Sequence, residues 1–236
     1  MTRATLRVAW ATSADLASIA DGGLSPREIE RADRLKSGPR RQQHTGSRAL
    51  LRALLADHTG RPPSSFELLA DKRGKPLCVD GPAVSISHSG DIVACAVCDA
   101  GEIGVDVEFA RRERDVEAIA RRYFCREEAE WVGGQPEDRF YMLWVLKEAW
   151  LKATGKGLAG GLDRLRCRVT PPHLEALAGS ASFTALQLYA LRGGFLGVAA
   201  VDERPASIEV RRWLPAGAGF AADDEPRLVA AGDPVR

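Results

Sequence analysis

Two sets of charged residues in this chain have spacings that can do chemistry. The first is Asp106 and Glu108, inside residues 102–108 (EIGVDVE), where Ile103, Val105, Val107 and Phe109 alternate with Gly104, Asp106 and Glu108. A period of two describes a β-strand, so both carboxylates project from one face, roughly 6.5–7 Å apart along it. Two carboxylates so placed can share one hard cation, and Mg²⁺ commonly takes one or two of them plus phosphate oxygens and water. A solvent-facing strand edge with two surface acids has the same pattern. The second set lies in residues 140–158 (FYMLWVLKEAWLKATGKGL). At 3.6 residues per turn, Tyr141, Leu143, Trp144, Val145, Leu146, Trp150 and Leu151 leave almost no polar face, which predicts a largely buried helix. Lys147, Glu148 and Lys152 nevertheless sit within it, and Glu148 and Lys152, four apart, meet on one face. Charged groups are seldom buried unless they are paired, bind a metal or react. An ordinary helix with an i,i+4 ion pair is the plain alternative.

A basic stretch precedes them. Ser25, Pro26 and Glu28 spell an N-cap, a first-turn proline and a capping box. The helix they start carries Arg27, Arg31, Arg34 and Lys36. Arg40 and Arg41 follow, and a second helix over about 40–58 has an apolar stripe of Ala49, Leu50, Ala53 and Leu54 with Arg48 and Arg52 beside it. Such a cluster can hold phosphates, meet an acidic partner, or simply face solvent. A turn at 71–76 adds Lys72, Arg73 and Lys75, and residues 84–90 (VSISHSG) form a strand with a polar tip. Ser87 and His88 there lack the Gly-x-Ser-x-Gly elbow and the chain order of a hydrolase triad, and suit an anion at least as well. Residues 155–160 satisfy G-x-G-x-x-G, but they follow a helix instead of opening one, so no dinucleotide fingerprint is present.

Around these sets stand the elements that must position them. Strands are expected at 6–10, 66–69, 92–98, 166–169, 183–191, 195–202 and 207–213, with a hairpin at 192–194. Helices are expected from Ser13 or Thr12 to about Ala20 and over 115–123 and 126–132. With 236 residues, 45% hydrophobic and 28% charged, the chain can bury a sizeable core. A net charge of +1 argues against a dedicated nucleic-acid binder, and no apolar run reaches membrane-spanning length. Five cysteines without framework spacing read as reduced thiols, which points to the cytoplasm. Cys95 and Cys98, three apart on a strand, face opposite ways and are read as core residues, not a metal pair. Each half runs through helices to a long helix and ends in strands, as an internal duplication of about a hundred residues would. The reading divides the chain into lobes at 1–104 and 105–216, with a disordered tail at 217–236.

Three blocks together resemble the 4′-phosphopantetheinyl transferase superfamily, in its Sfp-type two-lobed branch. They are VSISHSG at 84–90, IGVDVE at 103–108 and WVLKEAWLK at 144–152, the last followed by GKGL at 155–158; GKP at 74–76 is a further family element. The resemblance covers roughly 25–165. It implies an α+β fold of two similar lobes, each a long helix on a small, mostly antiparallel sheet, with coenzyme A in the cleft between them. It implies that Asp106, Glu108 and Glu148 hold Mg²⁺, that Lys152 neutralises charge at the reacting phosphate, and that Lys147 supports the site. Glu148, Lys152, Glu108 and Lys147 are thus the catalytic set. Ser87 and His88 would contact the 3′-phosphate and ribose and Lys75 another phosphate, with Arg31 and Arg48 as helpers. Glu128 matches a family acid at the start of the neighbouring helix. Glu28 stands where relatives often carry a base, Gln43 where they carry a hydroxyl, and Ala110 lacks a hydroxyl sometimes found after the acidic pair.

The implied reaction moves phosphopantetheine from coenzyme A to a serine of an apo-acyl or peptidyl carrier protein and releases adenosine 3′,5′-bisphosphate. Glu148, Glu108 or a metal-bound water remain alternatives for the base. A monomer suffices for a two-lobed enzyme, and no nucleic-acid or membrane partner is expected. A Mg²⁺-dependent phosphohydrolase and a non-catalytic nucleotide-binding regulator use the same acids and stay open as other readings.

Overall fold

The computed structural model describes residues 4–16, 23–109, 114–191, 193–213, 220–221 and 226–232. In chain order the elements are β1 (Thr5–Thr12), α1 (Ser13–Leu16), α2 (Pro26–Asp33), α3 (Gly38–Thr59), β2 (Leu68–Ala70), β3 (Pro76–Cys78), β4 (Ala83–Ser89), β5 (Ile92–Cys98) and β6 (Glu102–Phe109). They continue with α4 (Val116–Tyr123), α5 (Arg126–Val132), α6 (Pro136–Thr154), β7 (Cys167–Thr170), β8 (His173–Ala176), β9 (Ala185–Leu191), β10 (Gly194–Val201), β11 (Ser207–Trp213), β12 (Phe220–Ala221) and β13 (Arg227–Gly232). Helices and sheets are mixed, as an α+β fold requires. The chain divides into two compact units: residues 1–100 with 205–225, and 101–204 with 226–236.

The first unit is built on a sheet of order β12-β11-β1-β5-β4, with β2 and β3 as a separate hairpin. β5 is buried throughout because both of its faces are covered. Val93, Cys95 and Val97 share a core with Leu50, Leu51, Leu54 and Leu55 of α3, while Cys98 stays outside that cluster, so the two thiols diverge as the strand period dictates. Gly60, at φ 73°, ends α3 in the left-handed region that glycine adopts at least cost. The capping box of α2 forms as its sequence spells it: Glu28 N–H donates to Ser25 Oγ and Ser25 N–H to Glu28 Oε2.

The second unit is a six-stranded sheet of order β6-β10-β9-β13-β8-β7, on which α6 lies across β6 and β10. The helix buries Phe140, Leu143, Val145, Leu146, Trp150 and Leu151 and ends at Gly155, φ 64°. Its apolar residues surround it, so burial on nearly all sides follows from the sequence. α4 starts under the Asp115 cap, whose carboxylate accepts the N–H of Ala118.

Several expectations need correction. α6 begins at Pro136, a residue type suited to a first turn, before the apolar run opens. β11 pairs in parallel with β1, so 207–213 completes the first unit's sheet instead of closing a lobe at 105–216. A parallel partner must come from a distant part of the chain, which local alternation does not reveal. Within the tail read as disordered, β13 pairs with β9 and buries Val229 and Ala230. The expected helix end at 17–20, Arg192 and Ala110 lie outside the described residues. Among those described, no helix is long and apolar enough to cross a membrane.

Candidate functional site

The geometry around Asp106 begins with two glycines. Asp106 lies opposite Gly197 in the β6–β10 register. A Cβ on Gly197 would stand 2.5 Å from the Val145 carbonyl oxygen, and one on Gly104 would stand 1.9 Å from that of Ala149. Only glycine admits α6 this close to the strands. Its backbone thereby comes down onto the face of β6 that carries Asp106, and Lys152 Nζ donates to Asp106 Oδ1 at 2.6 Å and to the Val105 carbonyl at 3.1 Å. Asp106 is buried, and Lys152 is partly exposed. The face expected to be solvent-exposed on the plain reading is therefore covered.

Glu148 belongs to the same cluster. Burial, then the negative charges of Asp106 and Glu108, push its carboxyl up to about 7 against the opposing pull of Lys152. Lys152 bonds Asp106, and among the described residues it forms no ion pair with Glu148 of the kind the plain alternative supposed, although its charge still acts on that carboxyl. Among the described residues no three His, Cys, Asp or Glu side chains converge closely enough to hold an ion by themselves, so a metal set of Asp106, Glu108 and Glu148 would need phosphate or water oxygens beside it. The donor chemistry still suits Mg²⁺. All three acids offer hard oxygen ligands, Mg²⁺ needs only one or two carboxylates beside phosphate and water, and a divalent cation relieves the repulsion that holds a proton on Glu148.

Lys147, expected to support the site, is elsewhere. Its side chain is fully buried against that of Glu128, with Nζ to Oε1 at 2.8 Å. It also donates to the carbonyls of Leu162, at 2.9 Å, and Leu165, and lies over the Phe124 ring. Residue 147 precedes 148 by 100° on the helix wheel, enough to turn it from the reacting face into the core. Glu128 in turn accepts the N–H groups of Cys125 and Cys167. These two residues brace the core of the second unit.

The cationic residues of the first unit gather less completely. Arg31 of α2 and Arg48 of α3 line a cavity of about 580 Å³ together with Arg27, Arg34, His44 and Glu28. Gly74 also lines it, and its neighbour Lys75 is half-buried, with its N–H bound to Asp71 Oδ1 at 2.8 Å. Ser87 and His88 face opposite sides of β4, the serine buried and the histidine exposed, as strand alternation requires. Glu28, where relatives often carry a base, has a structural task here: Arg52 donates to its Oε2 at 2.7 and 3.0 Å, and also to the carbonyls of Pro63 and Phe66. His44 stands outside the expected set. Its signal was the spacing His44, Arg48, Arg52, one turn apart on a single helix face.

Comparison with known proteins identifies the family. A sequence model of the 4′-phosphopantetheinyl transferase superfamily matches residues 102–192, the stretch from β6 to the end of β9 that carries both acids and the α6 set. The 4′-phosphopantetheinyl transferase HetI of Nostoc sp. is 33% identical over 174 residues, 70% of this chain and 73% of that protein. The 4′-phosphopantetheinyl transferase Sfp of Bacillus subtilis is 33% identical over 51% of this chain and 55% of its own. The L-aminoadipate-semialdehyde dehydrogenase-phosphopantetheinyl transferase of Mus musculus is 27% identical over 64% of this chain and 55% of its own. The chain belongs to the 4′-phosphopantetheinyl transferase superfamily.

Proposed function

We propose that the protein is a Mg²⁺-dependent enzyme of the holo-carrier-protein synthase type. It transfers phosphopantetheine from coenzyme A to a serine of an apo-acyl or peptidyl carrier protein and releases adenosine 3′,5′-bisphosphate. The observation that carries the reading is the Asp106–Lys152 contact at 2.6 Å, in the charge field that raises Glu148, on the strand and helix that the family match spans. In this reaction the serine Oγ forms a bond to the β-phosphorus of coenzyme A as the bond to the bridging oxygen breaks, and the serine proton must go to a base. Glu148, Glu108 or a metal-bound water would take it. Lys152, tied to Asp106 but partly exposed, neutralises charge on the phosphate oxygens or the leaving group. Asp106, Glu108 and Glu148 would hold Mg²⁺, which supplies Lewis-acid polarisation of the pyrophosphate when bound.

Arg31, Arg48, Lys75, Ser87 and His88 of the first unit serve the phosphates and ribose of the same coenzyme A in this reading. The protein acts in the cytoplasm as a monomer of two duplicated lobes. The duplication is supported by a shared device: in each unit a buried cation of the long helix, Arg52 or Lys147, pairs with the third-position glutamate of a short helix before it, Glu28 or Glu128. The test is incubation of purified protein with Mg²⁺, coenzyme A and several apo-carrier proteins, read by intact mass. The expected result is a carrier heavier by one phosphopantetheine, lost in Asp106→Ala and Glu148→Ala. Coenzyme A consumed without any carrier would refute the transferase and favour a phosphohydrolase.

A further inference from the structure

We infer that His44 is a proton-coupled phosphate ligand of the first unit's cavity, donating to a phosphate monoester dianion that lies against Arg31 and Arg48. The inference rests on the donor reading above and deepens it, because coenzyme A carries one such monoester, on its ribose. His44 and Arg48 sit one turn apart on α3, and both line the cavity with Arg31 of α2. His44 Nε2 and Arg48 Nη1 are buried, and neither has a hydrogen-bond partner among the described residues. Buried polar groups are satisfied in the great majority of cases, so two such nitrogens lining one cavity mark the place of an acceptor.

The charges around His44 say which acceptor. Burial first, then Arg48 and Arg31, hold the imidazole below its ordinary value of 6.5, while the Glu28 carboxylate and backbone pull weakly the other way. The Glu28 charge is already answered by Arg52, and Glu30 is paired with Arg34. Arg27 adds a further positive charge from α2, and the lining from the β2 side, Leu68 to Ala70 with Gly74, titrates nothing. Arg31 and Arg48 thus bring positive charge that Glu28 offsets only in part, and they disfavour each other. A phosphate monoester brings nearly two negative charges and three acceptor oxygens, one for each of Arg31, Arg48 and His44. Each phosphorus of the pyrophosphate diester brings only one charge. Placing the dianion there reverses the field at His44, so the imidazole takes a proton from solvent as the ligand binds.

The sign of the linkage follows. Binding raises the His44 pKa, so protons are taken up between the free and bound values. Affinity increases as pH falls through the bound value and levels off below the free one, by up to about tenfold per pH unit. The test is calorimetry of coenzyme A and dephospho-coenzyme A without Mg²⁺, in phosphate-free buffers of different ionisation enthalpy between pH 6.5 and 8.5. His44 is followed by NMR in the wild-type protein, which has only four histidines. The expected result is proton uptake with coenzyme A, none with dephospho-coenzyme A, and a His44 imidazole that titrates higher in the complex. His44→Gln should bind coenzyme A without uptake and with a flat pH profile. Uptake that persists in His44→Gln, or a wild-type His44 whose titration coenzyme A leaves unmoved, overturns the inference while sparing the donor reading. If neither ligand binds the wild-type protein, with Mg²⁺ or without it, the donor reading falls and the inference with it.

Discussion

Replacing Lys147 with methionine separates a structural from a catalytic role for the residue beside Glu148. The ammonium is fully buried, holds Glu128 Oε1 at 2.8 Å and donates to two carbonyls of the segment after α6. Methionine fills a similar volume but leaves Glu128 as an unpaired charge and two carbonyls without their donor. Removing one partner of a buried ion pair costs about 3–5 kcal/mol. Glu128 keeps two backbone N–H donors, from Cys125 and Cys167, which places the loss at the lower end, about 3 kcal/mol. For a chain of this size each kcal/mol shifts the melting midpoint by roughly 2–4 °C, so scanning calorimetry should record a fall of roughly 6–12 °C. Because the partners share one network, Lys147→Met/Glu128→Gln should cost less than the sum of the single changes, with a coupling of about 1–3 kcal/mol. Turnover measured well below the transition should stay within a few-fold of wild type. A variant that melts like the wild type but loses two orders of magnitude in turnover would refute the placement of Lys147 in the core.

Other perturbations probe the remaining parts. Gly104→Ala puts a methyl against the Ala149 carbonyl and must lift α6 from β6; a loss of about 3 kcal/mol or more in urea unfolding, together with lost activity, is expected. Arg52→Met should lower the melting midpoint about as much as Lys147→Met, since it strips the buried Glu28 of its counter-ion. Glu148 has a folded pKa near 7, above its ordinary 4.5, so its charge costs the metal-free fold stability as pH rises through that window. Glu148→Gln should therefore melt higher than wild type at pH 8 without Mg²⁺, match it at pH 4.5, and be inactive. The same proton competes with metal, so Mg²⁺ affinity measured by calorimetry should weaken by up to about tenfold per unit as pH falls below 7 and be insensitive to pH above 8.

What was legible in the sequence follows a physical divide between local and long-range information. The α2 cap at Ser25, the glycine stop of α6 and the alternation of β6 are decided within a few residues, and all three are present in the fold. The cluster of Asp106, Glu108, Glu148 and Lys152 was legible as two separate spacings, one of strand period and one of helix period. Their junction depends on Gly104 and Gly197, whose meaning emerges only when β6 and β10 are neighbours beneath α6. The pairing of β11 with β1, though not the strand itself, and the whole of β13 escaped for the same reason. β11 finds its partner β1 near the other end of the chain, and β13 pairs with β9 across β10 and β11 from a stretch whose Ala, Gly and Pro content gives no period.

Lys147 and Arg52 show where motif reading misassigns charge. Both were noticed as cations beside apolar stripes, one grouped with the reactive acids and the other with a basic surface, yet each is a buried brace on a capping-box glutamate. Each also donates to two carbonyls of the segment that leaves its helix. That arrangement explains the residue types. A lysine or arginine carries several donors at the end of a long stem, so one side chain can tie a short helix, a long helix and the exit segment together. An apolar residue could fill the same volume but would leave those carbonyls unpaired. The positions proposed to react differ: Lys152 stays partly exposed with one carboxylate and one carbonyl as partners, and Glu148 carries a raised pKa with no ion pair among the described residues. Adjacent charges on α6 thus divide by burial and bonding: Lys147 is fully bonded in the core and holds the fold, and Glu148 and Lys152 lie at the Asp106 cluster where the proposed reaction would use them.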